Sequence, residues 1–285
     1  MSLALVVAQA LLFGDAKAPD CSKDPDPVAC LIEARYHDDA KAQPIAAQLY
    51  RDTGDIAGLG IDEVMDGGYR GKIHLVPELP VGGYRKHLTW ISASMTSIEG
   101  FFTKQFDAKA PGYRWRDLAF RFVRSVKKRT PSAYALIAKD GLWTIVYNVE
   151  GSLLTSETGV RETVFHELFH INDEDHQDWS GKALQKDYDA IVKKCGTKVS
   201  CLAPYAPNDT MVRGGTYYAF QQNNGAVVHE YAAELAVRYY KEQSEMLAKG
   251  KLARKAFKCG PPENARAWQA LVDEFFAGRD RVPAC

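Results

Sequence analysis

His166-Glu167-Leu168-Phe169-His170 sets two imidazoles four residues apart with a carboxylate beside the first. On a helix, residues at i and i+4 lie on one face about one turn apart, so both rings can reach one metal ion. Zinc suits that donor pair, because it takes neutral imidazole nitrogen at ~2.0–2.1 Å and is satisfied by four ligands. Glu167 lies about 100° around the helix from His166, outside the ligand pair but near enough to take a proton from a water at the metal. The chemistry this points to is metal-assisted hydrolysis with a carboxylate base.

A catalytic zinc site has three protein ligands and one open position, and the residues offer two candidates for the third. His176 stands six beyond His170, the histidine spacing of the pattern HExxHxxGxxH. Asp173, however, occupies the place of the glycine at which that pattern turns, and Met211 is too isolated a signal to restore it. Glu230 is the other candidate. It lies in Val228-His229-Glu230-Tyr231-Ala232-Ala233-Glu234-Leu235, where Val227, Tyr231, Leu235 and Tyr239 form one helical row and Val228, Ala232, Ala236 and Tyr240 the next. Glu230 and Glu234 sit one turn apart at the edge of that apolar stripe, an expensive place for two carboxylates unless a cation meets them.

HELFH followed by Ile171-Asn172-Asp173, with EYAAEL on a later helix, resembles the gluzincin branch of zinc metallopeptidases, in the style of the anthrax lethal factor-like group. The resemblance covers residues 158–176 and 225–240. It implies one Zn2+ per chain held by His166, His170 and Glu230, with Glu167 as general base and Glu234 as partner of a ring N–H of one of the two histidines. That group carries a tyrosine seven residues before the ligand glutamate to steady the oxyanion; here the position is Asn223, and Tyr217 or Tyr218 are the candidates to replace it. The implied activity is that of a secreted endopeptidase acting on proteins or peptides. A reading from another class is a zincin fold retained as a non-catalytic binding or structural module.

The elements that must hold these residues follow from periodicity. Val160, Val164, Phe165, Leu168, Phe169 and Ile171 cover most of the motif helix, leaving Thr163, His166, Glu167 and His170 as its one polar stripe, so this helix is expected to be buried nearly all round. Upstream, 29–36 and 45–51 read as helices, the second ended by Thr53-Gly54-Asp55, and 87–102 as another. Lys72–Val76 and Leu118–Val123 read as strands. The runs 133–138 and 142–147 around Lys139-Asp140-Gly141 read as a hairpin. With strands in the first half and helices in the second, the expected class is α+β and zincin-like: a small strand-rich lobe packed on the HExxH helix plus a mainly helical C-terminal lobe. The expected organisation is a signal-like segment over 1–18 and a single domain over 19–285, strand-rich at about 60–157 and helical at about 158–285. Strand 142–148 or 72–76 is expected as an edge that binds substrate backbone.

Composition narrows the partners. Lys plus Arg and Asp plus Glu are 36 each, a zero balance that argues against nucleic acid. The stretch 121–129 reads as a solvated strand and turn rather than an anion patch. No apolar run approaches the 18 residues of a membrane span; oligomeric state is left open. Six cysteines, at 21, 30, 195, 201, 259 and 285, pair most simply as 21–30, 195–201 and 259–285, one of fifteen connectivities. Leu3–Phe13 is largely apolar and followed by small residues, which reads as a signal segment without its basic start, or else as a buried N-terminal helix. Cysteines and N-terminus together point to a secreted or periplasmic protein. Asn208-Asp209-Thr210 matches a glycosylation acceptor.

Overall fold

The computed structural model describes residues 3–66, 71–106, 111–127, 131–138, 141–212, 214–221 and 227–285. The fold is α+β, and the chain divides into two compact units: Met1–Glu99 with Trp115–Glu167, and Gly100–Arg114 with Leu168–Cys285. The division falls inside two continuous helices, α4 (Arg85–Phe106) and α5 (Glu157–Asp175).

All named strands belong to the first unit. They are β1 (Ile56–Leu59), β2 (Glu63–Asp66), β3 (Lys72–Pro77), β4 (Ala119–Ser125), β5 (Ala133–Ile137) and β6 (Trp143–Asn148), in the order β2-β3-β4-β6-β5. Along one side of β4, residues 119–122 pair in parallel with β1 and residues 123–125 pair antiparallel with β3. β6 runs parallel to the other side of β4 and turns back on β5 through a hairpin closed by Gly141 at φ +78°. Lys139 and Asp140 of that turn lie outside the described residues. Every residue of β6 is buried, the continuous apolar reading of a strand covered on both faces, whereas Lys72 to Leu75 of β3 alternate exposed and buried. Ile73, Leu75, Val123 and Val146 form a core cluster joined by Met65, Tyr134 and Leu136.

The expected substrate edges are therefore not edges. β6 lies between β4 and β5, and β3 between β2 and β4. A strand whose every side chain is buried sits in the middle of a sheet because its backbone groups, too, must be paired away from water. Among the described strands, β5 pairs with β6 alone.

Helices α1 (Leu3–Phe13), α2 (Pro27–Arg35) and α3 (Ala42–Thr53) complete this unit. The apolar N-terminal run packs on α2 and β1 with Ala8, Leu11 and Leu12 fully buried. It approaches β1 closely enough that a Cβ at Gly58 would stand 2.5 Å from the Leu11 carbonyl oxygen. Cys21 and Cys30 are joined.

Asp55, between α3 and β1, is fully buried. Its Oδ1 accepts from the Leu118 N–H at 2.9 Å, and its Oδ2 lies 2.6 Å from the Thr53 hydroxyl, which itself lies 2.9 Å from the Leu49 carbonyl. One hydroxyl has one proton, so if Thr53 donates to Leu49, the Asp55 carboxyl must donate to Thr53 and be protonated. Burial independently pushes the Asp55 pKa from 3.8 up to about 8, against the hydrogen bond from the Leu118 N–H. Because the folded-state value is raised, the folded chain holds a proton that the unfolded chain releases. Stability is thus full below the unfolded value and declines as pH rises toward 8, at up to about 1.4 kcal/mol per pH unit. Asp55→Asn keeps an acceptor for Leu118 and a donor for Thr53, and is expected to flatten that decline. Denaturant unfolding of both chains between pH 4 and 9 measures it; a wild-type stability that rises over this range would contradict a protonated Asp55.

The second unit is helical: α6 (Trp179–Ala183), α7 (Gln185–Cys195), α8 (Val199–Leu202), α9 (Val227–Lys249) and α10 (Pro262–Phe275), with α4 from Gly100 and α5 from Leu168. α9 carries its core row as expected: Tyr231, Ala232, Leu235, Ala236 and Tyr239 are buried, and Tyr239 stacks on Phe276 at 3.9 Å between centroids. Gln105 of α4 donates to Tyr239 and Gln243, tying that helix to α9 within the unit. Disulfides join Cys195 to Cys201 and Cys259 to Cys285, so all six cysteines are paired and in the simplest connectivity. Three disulfides fit an oxidising compartment. Among the described residues, no helix is long and apolar enough to cross a membrane.

Candidate metal centre

Helix α5 starts where the Ser156 hydroxyl accepts the Gly159 N–H at 3.1 Å, with Glu157 in its first turn and Arg161 one turn on, 3.6 Å away. Val160, Val164, Phe165, Leu168, Phe169 and Ile171 are buried, and so are Thr163, His166 and Glu167 of the polar stripe. His166 and Glu167 are 7% and 6% exposed, values at which ionisable groups need partners. Asn172, also buried, exchanges hydrogen bonds with both backbone groups of Arg114, at 2.8 and 3.0 Å, anchoring that segment on the end of α5.

His166, His170 and Glu230 each present one ligand atom, all within 4.8 Å of one another. His170 Nε2 and Glu230 Oε2 stand 3.6 Å apart. Two imidazole nitrogens and a carboxylate oxygen converging from α5 and the first turn of α9 are the donor set that suits zinc, and their spacing leaves room for an ion between them. Glu167 follows His166 on the buried side of the helix. Glu234, one turn beyond Glu230, is buried as well, and its backbone carbonyl accepts from the Asn208 side-chain amide at 2.7 Å. That amide nitrogen is the atom a glycan would need, so the acceptor match at Asn208 marks a buried structural contact.

His176 lies elsewhere. Its Nδ1 meets Glu274 Oε1 at 2.6 Å and its ring packs on Phe275 at 4.7 Å, both at the end of α10. The physical reason is that α5 stays helical through Asp175, and the left-handed residues that end it are Gln177 (φ +59°) and Asp178 (φ +60°). Without a turn at Asp173, a residue six beyond His170 points about 120° away from it.

Tyr217 forms an isolated bridge with Met211, and Tyr218 opens a 3-10 turn, Tyr218–Phe220, that packs on α9, the helix bearing Glu230. Both tyrosines are half-buried. Asn223 lies outside the described residues.

Asp173, Asp178 and His229, to which the sequence reading gave no part in a site, lie beside His170. Asp173 is buried; its Oδ1 accepts from the Ser180 N–H at 2.7 Å and its Oδ2 from the Ser180 hydroxyl at 2.6 Å. The same Oδ2 meets His229 Nδ1 at 2.9 Å, and His229 Nε2 stands 3.3 Å from Asp178 Oδ1. Burial alone would raise the Asp173 pKa, but the hydrogen bonds from His229 and Ser180 hold it below the ordinary carboxylate value. The bond to Asp173 correspondingly raises His229, against its own desolvation. With His170, Glu174, Gln177 and Asp178, this pair lines a cavity of about 450 Å3. The signal was present as spacing: Asp173 is three residues beyond His170, on the same helical face, and His229 directly precedes Glu230.

Compared with known proteins, the chain matches no family model, no curated protein and no solved structure.

Proposed function

We propose that this chain is a zinc metallopeptidase of gluzincin type with a zincin-like fold, secreted or periplasmic, that hydrolyses peptide bonds in proteins or peptides. The observation that carries the reading is the convergence of His166, His170 and Glu230, with the buried Glu167 adjoining. Glu167, buried directly after His166, supports the reading because a carboxylate beside the ligand pair can act on a water at the ion. The three disulfides support export.

His166, His170 and Glu230 would hold a zinc ion, which when bound would supply Lewis acidity to a water and a carbonyl. Glu167 takes the proton of the attacking water at a carboxylate oxygen and delivers it to the departing amine nitrogen, acting first as base and then as acid. Burial of Glu167 keeps competing bulk water from that carboxylate and strengthens its interaction with the transferred proton. Tyr218 or Tyr217, on the turn packed against α9, donates a hydrogen bond to the oxygen that becomes negative. Extended substrate backbone adds to the free side of β5, which pairs with β6 alone among the described strands.

A zincin fold retained as a non-catalytic binding or structural module is the second reading, favoured by Asn223 at the place of the expected tyrosine. One experiment separates them. Purified protein is expected to hold one zinc per chain by elemental analysis, to cleave a broad peptide library, and to lose that cleavage on dialysis against chelator and regain it with zinc. One zinc with no cleavage of any library peptide selects the module; no zinc after reconstitution removes the metallopeptidase reading and leaves the module.

A further inference from the structure

Asp173, Asp178 and His229 form a second group of ligand-type side chains, each with an atom within 4.8 Å of the others. Their hydrogen bonds give them another use. Both Asp173 oxygens already accept from Ser180, His229 Nδ1 lies 2.9 Å from both Asp173 Oδ2 and the Ser180 hydroxyl, and Asp178 Oδ1, which accepts the Gly181 N–H, faces His229 Nε2. What the group does accomplish is to connect two helices at one level. Asp173 is one turn beyond His170 on α5, and His229 is the residue before Glu230 in the first turn of α9.

We infer that the Asp173–His229 hydrogen bond is a strut that sets the start of α9 against the end of α5, making Asp173 and His229 positioning residues for Glu230 as a metal ligand. This rests on the metal-site reading above. The first turn of a helix has few hydrogen bonds of its own to hold it in place, and Glu230 occupies that turn. Glu230 Oε2 must be held relative to His170 Nε2, now 3.6 Å away, within a few tenths of an ångström for both to bind one ion. The strut supplies that constraint from a rigid base: Asp173 is 2% exposed and doubly held by Ser180, the second residue of α6. His229 spans from there to the backbone adjoining Glu230. A side chain that orients a ligand through hydrogen bonds, without touching the metal, changes metal affinity by about 10–100-fold when removed.

Zinc affinity, measured by competition with a chromophoric chelator, tests it on the full chain, with melting temperature recorded for each variant. His229→Ala is expected to weaken zinc binding by about 10–100-fold with little change in melting temperature, since the ring is partly exposed. His229→Asn, whose amide nitrogen takes the place of Nδ1, is expected to restore most of the loss. Asp173→Asn combined with His229→Ala should lose less than the two single changes summed, because the pair shares the Asp173–His229 bond. Wild-type affinity in His229→Ala while Glu230→Gln is weak would overturn the strut and leave the site reading standing. Wild-type affinity in Glu230→Gln would remove the site reading itself. Two zinc ions in the wild type falling to one in His229→Ala would make His229 a ligand of a second ion and overturn the strut. If the alanine variant fails to fold, the asparagine variant alone decides: affinity reduced to the level of Glu230→Gln, in a chain that melts as the wild type does, is the overturning result.

Discussion

Glu167→Gln is expected to retain zinc and lose peptide hydrolysis by at least two to four orders of magnitude, about the contribution of a positioned acid–base group. The substitution is isosteric, so the packing of a residue only 6% exposed survives it, while the amide can no longer accept the water's proton. Because Glu167 is about 100° around α5 from His166 and is not among the three convergent ligand atoms, metal content should stay at one ion per chain. Zinc analysis and steady-state kcat on the same preparation check both halves. A Glu167→Gln enzyme with wild-type kcat would assign the proton transfer to another group; one without zinc would make Glu167 a ligand.

The second large effect separates the two third-ligand candidates. Glu230→Gln is expected to weaken zinc by more than the ~100-fold upper range of losses from groups that merely support a ligand, since an uncharged amide is a poor zinc donor. His176→Ala should leave zinc affinity near wild type. Its imidazole is committed to Glu274 and Phe275, so the expected cost is a local loss at the end of α10, seen as a modest fall in melting temperature. Glu234→Gln should fall between, in the ~10–100-fold range, if its carboxylate supports a ligand ring. Chelator competition on the three variants measures all of this. Loss of zinc in His176→Ala with retention in Glu230→Gln would replace the gluzincin arrangement by a metzincin-like one.

The sequence by itself determined the elements whose signal is local. Apolar rows at helical spacing marked α5 and α9 and their buried faces, because a helix repeats its face every 3.6 residues whatever surrounds it. β-rich runs on either side of an Asp-Gly marked the β5–β6 hairpin, and cysteine order led to the connectivity that the structure contains. His166, Glu167 and His170 were legible for the same reason: their relation is fixed within one helix. Tertiary structure decided everything that depends on where two distant segments meet. Which strand is an edge is a property of the whole sheet, so β6 and β3 could not be recognised as interior strands from their own residues. Whether Glu230 or His176 joins the two histidines turned on where α5 stops, and it stops at the left-handed Gln177 and Asp178, two ordinary polar residues with no glycine to announce the turn. Asp173 and His229, 56 residues apart, are given no joint role by the motifs they adjoin; only folding brings a buried carboxylate to an imidazole, and only then does the pair acquire a role.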